Sequence, residues 1–116
     1  MDKYNDQPIF EPLYEYALIQ KPDLKFIWNF CQPELIKGNL GCCSYVKEKD
    51  IWVIAINSQQ NIEQATDTLA HELAHCIAGN EKEDEHGDEW RRIYDGFYPY
   101  WQEKMTVYLN QRKKQV

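Results

Sequence analysis

The stretch from Thr68 to Trp90, TLAHELAHCIAGNEKEDEHGDEW, constrains this chain more than any other, because it joins an amphipathic helical pattern to all three histidines of the protein. Ile62, Ala65, Leu69, Leu73, Cys76 and Ile77 recur at spacings of three and four, which makes one apolar stripe on a helix. Ser58 and Asn61 are candidate N-caps ahead of that run, and Gly79 with Asn80 is a typical stop, so a helix is expected over about residues 61 to 78. A chain containing such a segment must supply an apolar surface to cover the stripe.

His71 and His75 stand four apart around Glu72, the H-E-x-x-H arrangement that on a helix binds zinc. Residues four apart lie about 40° from each other around a helix and roughly 6 Å apart along it, so both imidazoles can reach one ion. Glu72 lies about 100° round from His71, better placed to take a proton from a metal-bound water than to ligate the metal. Catalytic zinc usually takes three protein ligands. His86, beyond the helix stop, is expected to return through the loop NEKEDEHG as the third, with a glutamate of residues 81 to 85 as the alternative donor. By helical phase the two motif histidines project from roughly the side opposite the apolar stripe. The plainer reading of the same residues is a surface helix with two solvated histidines.

His71-Glu72-Leu73-Ala74-His75, followed by His86-Gly87-Asp88-Glu89-Trp90, resembles the SprT-like metallopeptidases. In that family an H-E-x-x-H helix is followed by a loop and H-G-x-x-[FW]. The resemblance implies that His71, His75 and His86 bind Zn2+, that Glu72 is the catalytic base, and that Trp90 is the packing aromatic of a short helix after the third ligand. Upstream, LKFIWNFC, NLGCCSYV and DIWVIAIN also resemble the family's order of strands before the helix, so the likeness covers roughly Leu24 to Tyr94. The fold it implies is α+β: a compact zincin-like domain with a small three-stranded sheet packed on the H-E-x-x-H helix and flanking N- and C-terminal helices.

The rest of the chain fits that plan. At 116 residues, 43% hydrophobic and 14% aromatic, it is expected to form a single domain over residues 1–116 with one modest core. Pro12 suits the first turn of a short helix between Ile9 and Gln20. Phe26, Trp28 and Phe30 alternate with other side chains, as in a strand with one aromatic face. Gln32 to Asn39 is a connection with room for one helical turn. Leu40 to Val46 and Ile51 to Ile56 flank a four-residue polar loop of hairpin length, and the unbroken apolar run IWVIAI predicts a strand covered on both faces. Gly87 to Asp95 reads as a short helix, and Tyr98 to Lys114 as a separate last helix ending in a basic tail. The N-terminal residues have no apolar targeting core, and no run approaches the roughly 20 apolar residues needed to span a bilayer, so a cytoplasmic protein is expected. Cys31, Cys42, Cys43 and Cys76 show no C-x-x-C spacing and read as thiols rather than a disulfide framework.

Asp67, four residues before His71, and Asp84 and Glu89, close in sequence to His86, are candidate carboxylate partners for ligand N–H groups, and the oxyanion donor stays open among Tyr45, Tyr94, Tyr98, Arg91 and Arg92. The expected function is zinc-dependent hydrolysis of peptide bonds in protein substrates. The alternatives are a zinc-binding domain without turnover and a partner-binding module. The resemblance implies DNA-associated substrates, whereas a net charge of −6 and a pI near 5.0 argue against an overall electrostatic footprint for nucleic acid.

Overall fold

The computed structural model describes residues 7–80, 82 and 85–115. Met1 to Asp6, Glu81, Glu83, Asp84 and Val116 lie outside the described residues, as do the side chains of Lys113, Lys114 and Gln115. In chain order the principal elements are α1 (Glu11–Gln20), β1 (Phe26–Cys31), β2 (Gly41–Val46), β3 (Ile51–Asn57), α2 (Ile62–Ala78) and α3 (Asp88–Gln115). The sheet order is β1-β3-β2, with β1 parallel and β2 antiparallel to β3. A 3-10 turn over Pro33–Ile36 fills the connection after β1.

Local chemistry sets the ends of α2. The Asn61 side chain accepts from the Gln64 amide at 2.8 Å and the Gln64 side chain accepts from the Asn61 amide at 3.1 Å, a capping box in which two orphan donors are satisfied. At the other end Gly79 takes φ +75°, which lets the Asn80 amide donate to the His75 carbonyl at 3.0 Å. In register across the sheet, Trp28 sits beside Ile54, Phe30 beside Ile56 and Cys43 beside Ile54. These inner-face side chains join Leu69 and Leu73 of α2, Leu13 and Ala17 of α1, and Trp90, Ile93 and Phe97 of α3 in one core cluster. Leu69 and Leu73 are fully buried, and each contributes about 1.5–3 kcal/mol.

The structure departs from expectation in three places. Only the inner face of β3 is covered: Val53 and its register neighbour Ile27 remain 37% and 56% exposed on the other. An unbroken apolar run here reflects the middle place of β3 in the sheet, because the helices add their core residues to the inner face. Ile62 opens the apolar stripe of α2 but is exposed. The expected short and last helices are one continuous α3 that runs through Gly96 and Pro99. Proline removes a backbone hydrogen bond and favours a kink. Contacts on both sides of it hold the helix together: Phe97 is buried, Trp101 Nε1 donates to the Ile9 carbonyl at 2.9 Å, and the Tyr100 hydroxyl donates to Glu15 at 3.1 Å. No helix among the described residues is long and apolar enough to cross a membrane.

Candidate metal centre

α2 lies between the sheet and α3, so its second half is enclosed on nearly every side. His75 and Glu72 are 0% and 1% exposed, and His71 is half-buried. The histidine side of the helix was expected to face away from the core. It does face away from the apolar stripe, but α3 and the returning loop cover it, which excludes a surface helix with solvated histidines. Gly41 on β2 permits the close approach of α2 on the other side. A Cβ there would lie 2.8 Å from Thr68 Cγ2, 3.2 Å from the Ala55 carbonyl oxygen and 3.3 Å from Glu72 Cγ. The sheet edge is thus pressed against the side chain of Glu72.

Beyond Gly79 the chain turns back under the control of Asn80. Its side chain accepts from the Lys82 amide at 2.9 Å and donates to Glu85 at 3.1 Å. Glu85 also pairs with Lys82 at 3.5 Å, so this carboxylate of the acidic loop is directed to Asn80 and Lys82. Next in sequence, His86 lies against the Trp90 ring with centroids 4.1 Å apart. Trp90 Nε1 donates to the His71 carbonyl at 3.3 Å, which fastens the first turn of α3 to the motif helix. Glu89 points elsewhere and pairs with Arg92 at 3.3 Å.

The three imidazoles form a triangle, with ring centroids 5.0 Å apart for His71 and His75, 4.9 Å for His71 and His86, and 5.2 Å for His75 and His86. Choosing one nitrogen from each, all three ligand atoms lie within 4.8 Å of one another. In a tetrahedral site with Zn–N bonds of about 2.1 Å two ligand nitrogens lie roughly 3.4 Å apart, so each side chain would shift by about an ångström or less to close the set on one ion. Three neutral nitrogen donors from two separate backbone segments fit zinc and leave a further position open.

Around this triangle, Tyr94 stacks on Trp90 at 4.9 Å, its ring 6.0 Å from that of His71. The Tyr94 hydroxyl donates to Asp67, the carboxylate one helical turn before His71. Burial, that hydrogen bond, and the charges of Asp67 and Asp95 push the Tyr94 phenol up to about 12. A cleft of about 250 Å³ opens beside the triangle, lined by Asn39, Leu40, Gly41, Asp67, Thr68, His71 and Glu72. Of the candidate oxyanion donors, Tyr94 stands against the histidines, whereas Tyr45 donates to Asp50 at 2.7 Å at the far end of β2. Sequence reasoning passes over Gly41 and Thr68. The available signal was a glycine opening an otherwise filled strand, which often marks close backbone approach.

An α+β fold whose H-E-x-x-H helix meets a third histidine brought back by the next helix defines a zincin-like architecture. The family model described as SprT-like family matches residues 3–107, and the chain belongs to that family. No curated protein and no solved structure gives a significant match.

Proposed function

We propose that this protein is a zinc-dependent metalloendopeptidase in which His71, His75 and His86 hold the metal and Glu72 is the general base. The convergence of three imidazole ligand atoms within 4.8 Å, with the Glu72 carboxylate buried on the same helix, carries this reading. Bound zinc supplies a Lewis acid that polarises a carbonyl and lowers the pKa of a water.

Glu72 borders the cleft through which a polypeptide would reach the centre, with Gly41 of β2 close against its side chain. It accepts the proton of the water that attacks the scissile carbonyl and delivers it to the leaving amine. Enclosure by β2 and α3 keeps bulk water from competing for that proton. Trp90 orients His86 by ring contact and fixes α3 against His71. The family supports a choice of substrate among DNA-associated proteins, although the chain's net charge of −6 argues against an overall electrostatic footprint for the nucleic acid itself.

The test pairs a metal assay with a turnover assay. Zinc content is measured on purified wild type and Glu72→Gln, and both are incubated with a panel of unfolded proteins. Zinc in both and cleavage by wild type alone is expected. Equal cleavage by the two proteins removes Glu72 from the chemistry, and zinc in both with cleavage by neither leaves a binding domain without turnover.

A further inference from the structure

A groove of about 760 Å³ runs alongside the metal centre, walled by α1, α2 and α3. Its floor is apolar, formed by Leu13, Ala70 and Phe97, all buried. Ile62 and Tyr98 stand at its mouth, 48% and 63% exposed, although Ile62 belongs to the apolar stripe of α2. Three carboxylates, those of Glu63, Asp67 and Asp95, line the same groove, and among the described residues its lining contains no lysine or arginine. Asp67 borders both this groove and the cleft beside His71 and Glu72. Asp67, which accepts from the Tyr94 hydroxyl, is therefore the wall shared by the two.

We propose that this groove docks a lysine- or arginine-bearing extended segment of the polypeptide substrate and so sets substrate class. This deepens the peptidase reading and rests on it. Long basic side chains lay their methylene stems along apolar surface while the charged head seeks polar company. The groove offers both: Phe97, Ile62 and Tyr98 for the stem, and Glu63, Asp67 and Asp95 for the head. The exposed Tyr98 ring adds a face on which a cation gains further attraction. A wholly apolar segment would cover the carboxylates without pairing them, which is costly, and an acidic segment would be repelled. Because the shared wall abuts the centre, a segment held here delivers the adjoining peptide to Glu72.

The experiment uses the Glu72→Gln protein loaded with zinc, so that binding is read without turnover. Three blocked peptides, identical but for a central lysine, norleucine or glutamate, are titrated by calorimetry. The lysine peptide is expected to bind roughly fivefold to tenfold more tightly than the other two, with the gap closing at high salt, as for partly exposed charge pairs. Glu63→Lys and Asp95→Lys, each at an exposed position, are expected to abolish the preference. Glu48→Lys, the same charge change in the β2–β3 turn, is expected to keep it. In turnover by the otherwise wild-type enzyme the two groove variants raise KM for the lysine peptide and leave kcat nearly constant. Equal affinity for all three peptides, or a preference that survives Glu63→Lys and Asp95→Lys, overturns the proposal. So does a concentration-dependent dimer abolished by Tyr98→Ser, since a second copy would then fill the groove. Lysine-selective binding without cleavage by wild type would sustain the groove and sink the peptidase reading, and cleavage indifferent to lysine would do the reverse.

Discussion

Gly41→Ala tests the way the sheet edge holds the proposed base. The added methyl would sit 2.8 Å from Thr68 Cγ2 and 3.2 Å from the Ala55 carbonyl oxygen, against the 3.5–4.0 Å or so at which carbon atoms rest. Neither neighbour gives way easily. Ala55 is backbone of the central strand, and Thr68 is β-branched with its hydroxyl donating to Gln60 at 2.7 Å. Gln60 is itself tied to the Leu40 and Asn57 carbonyls at 3.0 Å each. Helix α2 must therefore move outward by several tenths of an ångström, taking Glu72 with it. Overpacking of this kind costs about 1–3 kcal/mol, offset by about 0.4–1 kcal/mol from the less flexible unfolded chain. The net loss of about 1–2 kcal/mol corresponds to a melting temperature lower by roughly 4–8 °C for a chain of this length. Urea unfolding with zinc in excess measures the loss, and the cleavage rate of an unfolded protein is expected to fall more than stability does, by roughly tenfold or more. Thr68→Ser, which removes the nearest methyl, is expected to recover most of the stability when combined with Gly41→Ala and little on its own. A Gly41→Ala protein as stable as wild type, or one that Thr68→Ser fails to rescue, would refute the close-packing account.

Other perturbations reach other parts of the molecule. Trp90→Ala removes both the ring under His86 and the donor to the His71 carbonyl, and zinc affinity measured by chelator competition is expected to drop roughly 10- to 100-fold, whereas Trp90→Phe keeps most of it. Zinc removal by a chelator is expected to lower the melting temperature, by the equivalent of about 2.7 kcal/mol when the free metal had been a hundredfold above its Kd, and His71→Ala should abolish that response. Trp101→Phe loses the bond to the Ile9 carbonyl and is expected to cost about 1 kcal/mol in urea unfolding. Gly96→Ala places a methyl 1.8 Å from the Tyr16 hydroxyl oxygen, so despite better helix propensity it should destabilise, and Tyr16→Ala in the same chain should relieve the clash.

The local features of this protein could be read from residues close together in the chain. Asn61 and Gln64 cap α2, Gly79 ends it, and the alternation of Phe26, Trp28 and Phe30 makes β1, because caps and periodicities act over a few residues. His71, Glu72 and His75 are legible for the same reason: helical geometry alone puts the two imidazoles within reach of one ion and offsets the carboxylate to one side. Tertiary structure decided what covers each face. Periodicity shows which side chains share a side of α2, but only the packing of α3 buries His75, and only the placement of the helices leaves Val53 open on β3. Gly96 and Pro99 look like a break until Tyr16, 80 positions away, is seen to occupy the space that the missing side chain leaves. Gly41 against Thr68 and the groove shared by three helices have the same origin. They are contacts between segments remote in sequence, and a pattern with a period of two or 3.6 residues carries no record of which remote segment comes to meet it.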